Sequence, residues 1–119
     1  MKKRILLVDD EKEFVNTLGQ RLELRGYQVK TAESGEECLD FYQPEMFDIV
    51  VLDLMMPGMN GIEVLSRLKR IEKEIPVILL TGHGSTKEGE EGIKMGAADY
   101  LMKPLDIEEL TGKIKEILS

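Results

Sequence analysis

The stretch Ile49-Val50-Val51-Leu52-Asp53-Leu54-Met55-Met56-Pro57-Gly58-Met59-Asn60-Gly61 decides how this chain folds. An unbroken apolar run rich in β-branched residues reads as a strand covered on both faces, since a half-buried strand would alternate polar and apolar positions. The run stops at an acid, Asp53, and a loop containing Pro57, Gly58 and Gly61 follows. The same pattern recurs on either side. Ile5-Leu6-Leu7-Val8 closes on Asp9-Asp10-Glu11, and Val77-Ile78-Leu79-Leu80 closes on Thr81. Tyr27–Thr31 reads as a second strand. Ala98–Met102 reads as a fifth, ending at Lys103-Pro104.

Amphipathic stretches fill the gaps. Phe14, Val15, Leu18 and Leu22 recur at helical spacing, and Gly26 stops that helix. Ser34 and Glu37 form a capping-box pattern for a second helix, which Pro44 ends. Ile62, Leu65, Leu68 and Ile71 mark a third. Lys87–Met95 reads as a weak fourth, because Gly89 and Gly92 each cost roughly 0.8–1 kcal/mol in a helix interior. Those glycines either make the helix marginal or allow close packing against a neighbour. Asp106 caps the last helix, with Ile107, Leu110, Ile114 and Ile117 on one face. Alternation of fully buried strands with helices predicts a doubly wound, parallel α/β sheet in one domain, residues 1–119. Ligands of such sheets bind beyond the carboxyl ends of the strands.

The bulk numbers narrow the function. The chain has 119 residues, 42% hydrophobic and 33% charged, a composition neither disordered nor membrane-like. No apolar run approaches the ~18–20 residues of a membrane span. Ile5–Val8 is too short for a signal peptide and runs straight into acids. A lone cysteine, Cys38, fits a reducing compartment, so a cytoplasmic location is expected. A net charge of −7 disfavours direct nucleic-acid binding, which needs a basic face.

The carboxyl ends of four strands carry Asp9-Asp10, Asp53, Thr81 and Lys103. Helix capping accounts for a single Asp or Thr after a strand, but not for the set. Lysine is not an N-cap residue, and Asp53 precedes a loop. Three converging carboxylates repel, and a hard divalent cation with oxygen ligands relieves the repulsion. Mg2+ suits, because it keeps sites for water and phosphate oxygens. With Lys103 protonated, three negative charges meet one lysine and one dication, and the formal sum is zero. A carboxylate in that setting can attack a phosphorus whose oxygens are neutralised. Thr81 offers a hydroxyl to a phosphoryl oxygen.

The segments Ile5–Glu11, Leu52–Gly61, Leu80-Thr81-Gly82 and Tyr100-Leu101-Met102-Lys103-Pro104, in that order and spacing, resemble the receiver domain of two-component response regulators from about residue 4 to residue 118. The resemblance implies a flavodoxin-like sheet ordered 2-1-3-4-5 with two helices on one face and three on the other. It implies Asp53 as phosphoacceptor and Mg2+ bound by Asp10, Asp53 and the carbonyl of Met55, with Asp9 acting through water. Thr81 and Lys103 would contact the phosphoryl group, and Tyr100 would be the aromatic switch. Met55 and His83 would line the rim. On residue type alone, Tyr100 is also an ordinary edge-strand aromatic, and a loop histidine such as His83 is most often simply exposed. The Lys103–Pro104 bond would be cis, against the trans form that most X-Pro bonds take. The implied partners are a sensor histidine kinase or phosphotransfer protein, and an output partner on the fourth helix, fifth strand and fifth helix. The domain would be a phosphoacceptor rather than an enzyme, although it promotes its own phosphorylation and dephosphorylation.

Two rival readings share the architecture. A haloacid-dehalogenase-type phosphohydrolase also uses an Asp nucleophile and Mg2+. It needs a second acid two residues on, where Met55 follows Asp53 and Glu11 follows Asp9, and this length leaves no room for a cap domain. A flavin or dinucleotide module needs a phosphate-cradling loop after the first strand, where Asp9-Asp10-Glu11 would repel a phosphate. Met55, Met56 and Met59 cluster in one loop, either as loop packing or as an adaptable contact surface.

Overall fold

The computed structural model describes residues 2–82 and 86–119. In chain order the elements are β1 (Arg4–Val8), α1 (Lys12–Leu24), β2 (Gln28–Ala32), α2 (Gly35–Phe41), β3 (Ile49–Asp53), α3 (Gly61–Ile71), β4 (Val77–Thr81), α4 (Thr86–Lys94), β5 (Asp99–Met102) and α5 (Ile107–Leu118). The strands form one parallel sheet in the order β2-β1-β3-β4-β5. The order reverses between β1 and β3, so this is the doubly wound, flavodoxin-like arrangement, with its crevice at that switch point.

Continuous apolar runs become the three central strands because both faces are covered. All of β3 and β4 is buried, as is β1 after Arg4. One core layer joins Leu6, Val50, Leu52, Val77 and Leu79 to Cys38 of α2 and Val64, Leu65 and Leu68 of α3. The other joins Ile5, Leu7, Val51, Ile78 and Leu80 to Val15, Leu18 and Leu22 of α1 and to Leu110 and Ile114 of α5. Gly92 places α4 against Leu79, on the first layer. Three helices therefore cover one face and two the other. On the edge strand β2 the outward Gln28 and Lys30 are exposed.

Caps fix the helix starts. Ser34 Oγ accepts from the N–H of Glu37 at 3.0 Å, and Asp106 Oδ1 accepts from Glu108 N–H at 2.9 Å. Glu37 does not return a bond to Ser34. Its Oε1 accepts from Glu33 N–H, one residue earlier. Asn60 Oδ1 caps α3 by accepting from Glu63 N–H at 3.0 Å, a cap beyond those expected from sequence. Several ends shift by about a residue, the usual fraying. β2 runs to Ala32 and β5 starts at Asp99. α2 ends at Phe41, three residues before Pro44. The buried stripe of α3 is Gly61, Val64, Leu65 and Leu68, while Ile71 is 40% exposed. A strict i, i+3 line drifts about 60° per step around the helix, so its two ends, Ile62 and Ile71, fall on opposite flanks of the buried stripe.

The two glycines of α4 are close-contact positions. A Cβ on Gly89 would stand 2.6 Å from the ring of Tyr100, and one on Gly92 would collide with Leu79 Cδ1. Both are buried. Of the two readings open from sequence, the packing one accounts for them.

Candidate functional site

A parallel sheet brings every strand's carboxyl end to one edge, and the register brings particular residues together there. Val8 pairs with Leu52, so Asp9 and Asp53, one step further on, are neighbours. Asp53 pairs with Leu80, next to Thr81. Asp9, Asp53 and Thr81 are 1%, 3% and 0% exposed, deep burial for polar groups, whereas Asp10 is exposed. Carboxylate oxygens of Asp9, Asp10 and Asp53 all lie within 4.8 Å of one another. Gly61 makes the tight turn beneath them possible. A Cβ there would stand 2.6 Å from the Asp53 carbonyl oxygen, and Gly61 N–H donates to the Leu54 carbonyl at 3.2 Å.

Main-chain donors aim the two buried acids. Asp9 Oδ1 accepts from Glu11 N–H at 2.9 Å, and Asp53 Oδ1 accepts from Met55 N–H at 3.1 Å. Their other oxygens face Lys103 Nζ, at 2.8 Å from Asp9 and 3.6 Å from Asp53. Lys103 also donates to Glu11 Oε1 at 3.0 Å and lies 4.6 Å above the ring of Phe14. Burial opposes the charge of Lys103, but the hydrogen bonds to Asp9 and Glu11 and the nearby Asp53 outweigh it and raise its pKa. Burial pushes the Asp53 carboxyl up to about 6. The Met55 N–H and Lys103 pull against that shift, and the charges of Asp9 and Asp10 add to it.

Among the described residues, Thr81 Oγ1 is buried with no hydrogen-bond partner. Such a group calls for an explanation, and a ligand oxygen arriving in the pocket supplies one. Tyr100 is half-buried on β5, its ring against Gly89. The Met55 side chain is 58% exposed at the pocket's rim. His83 lies outside the described residues. The Lys103–Pro104 bond is cis. Glu11 and Phe14 are additional partners of Lys103 that the sequence pattern presents only as a rival's second acid and as a helix-face position. The spacing of Glu11 two residues after Asp9 was the available signal.

The donor set fits Mg2+. All its ligands are oxygens, and its charges are crowded enough that one lysine shared with Glu11 leaves them under-neutralised. Among the described residues, no helix is long and apolar enough to cross a membrane.

Known proteins share this arrangement. Residues 5–115 match the family described as the response regulator receiver domain. The alkaline phosphatase synthesis transcriptional regulatory protein PhoP of Bacillus subtilis is 40% identical over 118 residues, 99% of this chain and 49% of PhoP. The transcriptional regulatory protein CpxR of Escherichia coli is 42% identical over 115 residues, 97% of this chain and 49% of CpxR. The non-phosphorylated HemR receiver domain from Leptospira biflexa superposes with a TM-score of 0.91 at 36% identity, covering 99% of this chain and 95% of that one. The chain spans about half the length of the curated relatives it matches. The phosphohydrolase alternative finds no support in these matches. The strand order, the acidic pocket and a family match over nearly the whole chain agree, and the chain belongs to the receiver domains of two-component response regulators.

Proposed function

We propose that Asp53 accepts a phosphoryl group from the phosphohistidine of a sensor kinase or phosphotransfer protein. The observation that carries this is the convergence of a buried carboxylate with Lys103 and with the Thr81 hydroxyl, which has no partner among the described residues. Asp53 Oδ2, the oxygen not held by Met55 N–H, attacks phosphorus, and the P–N bond to the donor imidazole breaks with its electron pair going to nitrogen. Lys103 Nζ shifts from Asp9 and Glu11 toward the transferred group, and Thr81 Oγ1 donates to a phosphoryl oxygen. Asp9, Asp10 and Asp53 with the Met55 carbonyl would hold Mg2+, which supplies charge neutralisation at the phosphoryl oxygens. The same groups serve hydrolysis of the acyl phosphate, so the domain promotes both its phosphorylation and its dephosphorylation.

Readout follows from Thr81. Its movement toward the phosphate vacates space beside β5, into which the ring of Tyr100 turns. Because that ring is the surface on which Gly89 rests, α4 moves with it. An output partner then reads the surface of α4, β5 and α5. We place this chemistry in the cytoplasm, in keeping with a lone buried Cys38 whose thiol burial pushes up to about 12 and leaves unreactive.

The test is transfer of label from a phosphohistidine-bearing kinase. One label per chain, moving only with Mg2+ present, is the expected result. Continuous release of phosphate from assorted phosphomonoesters, without a labelled chain, would replace the phosphoacceptor with a hydrolase.

A further inference from the structure

A cleft of about 840 Å³ lies beside the acidic pocket, between the loop after β3, α3 and α4. Its apolar lining includes Met55, Met56, Ile62 and Met95. Met55 and Met95 are 58% and 38% exposed, large apolar side chains left open to solvent on facing walls. Thioether side chains are flexible and polarisable and adapt to varied apolar partners. Met56, by contrast, is buried, so the methionine-rich loop divides between packing and surface.

The rim is acidic, with Glu63, Glu88 and Glu91. Glu63 is paired with Arg67 one turn on, at 3.0 Å. Glu88 and Glu91, three apart on one face of α4, form no ion pair among the described residues. Like charges at that spacing disfavour the helix slightly, and a cation brought between them relieves it. A trough with an apolar floor and one negative margin is complementary to an amphipathic helix carrying Lys or Arg along one edge.

We propose that the α3–α4 cleft docks a basic amphipathic helix of a partner protein. Its apolar face lies on Met55, Ile62 and Met95, and its cations meet Glu88 and Glu91. This site uses the side of α4 that faces α3, together with the loop after β3, rather than the α4-β5-α5 readout surface.

The probe is a synthetic helical peptide of Leu, Ala and Lys, about five turns or ~18 residues long, with a second peptide carrying Glu for Lys. The readout is the methyl NMR spectrum of the chain's seven methionines. The Lys peptide is expected to shift Met55 and Met95 and to leave Met46 and Met102 in place. Glu88→Lys with Glu91→Lys, at exposed positions, is expected to weaken binding by at least about tenfold. The same charge change at exposed Glu23 and Glu116 is expected to leave it within about twofold of wild type. The proposal is overturned by no shift at saturating peptide, by equal binding of the Glu peptide, or by equal loss in the two double variants. Shifts of Met55 and Met95 that grow with protein concentration alone would make a second copy of the chain the occupant, and would overturn it too.

Discussion

Lys103 Nζ is 2.8 Å from Asp9 and 3.6 Å from Asp53, so Asp9 holds the lysine more closely than Asp53 does. The Asp53 carboxylate is thereby left only partly neutralised. Under the proposed chemistry the lysine has two tasks, holding the acid cluster together and meeting the phosphoryl group.

Lys103→Ala should therefore cost stability as well as function. Asp9 is 1% exposed and loses its cation, a change of the kind that costs about 3 kcal/mol. Urea unfolding without metal should show the loss, and millimolar Mg2+ should recover part of it. A variant as stable as wild type would remove Lys103 as the cluster's counter-charge.

Asp53 has its own pH signature in metal-free buffer. Its folded pKa, about 6, lies above the ordinary carboxylate value, so between pH 4 and 6, roughly, the native state binds more protons than the unfolded chain. Its contribution is thus present in full below about pH 4 and is lost as pH rises through 6. Asp53→Asn should be more stable than wild type at pH 7.5, by up to ~3 kcal/mol, with the gap closing toward pH 4. A gap that widens on acidification would contradict the burial argument.

Asp10 is the exposed member of the acid cluster, so Asp10→Ala should fold normally. Wild type should melt higher in millimolar Mg2+ because only the folded state assembles the site. Differential scanning calorimetry should find that gain abolished in the variant. An undiminished shift would locate the metal elsewhere.

Replacing Gly89 and Gly92 by alanine pits propensity against packing. Propensity alone favours the double variant by about 2 kcal/mol. The ring of Tyr100 and the side chain of Leu79 occupy the places the new methyl groups would need. Net destabilisation in denaturant titration is the expected outcome. A gain near the propensity figure would show that α4 is not seated on β4 and β5 as described.

The strands were legible because burial on both faces leaves an unbroken apolar run, and Ile49–Leu52 and Val77–Leu80 have no other reading. Asp53, Thr81 and Lys103 were legible as first polar residues after such runs. Contacts that depend on how a helix docks were not. Glu11 and Phe14 meet Lys103 from more than 80 positions away, across α1 and β5. Sequence leaves the glycines of α4 open between weakness and close packing for the same reason, since the ring and methyl groups that require them belong to β5 and β4. In α3, Val64 and Ile71 are equally apolar, and only the position of the sheet decides that the first is buried and the second is not.

Peptide mapping after phosphorylation reads out the acceptor residue itself. The chain is incubated with Mg2+ and a small acyl-phosphate donor, then digested, and the base-labile phosphate is located by mass spectrometry. The expected result is one phosphoryl group on Asp53, none without Mg2+, and none in Asp53→Asn. Phosphate on another residue at the wild-type rate in that variant would contradict it.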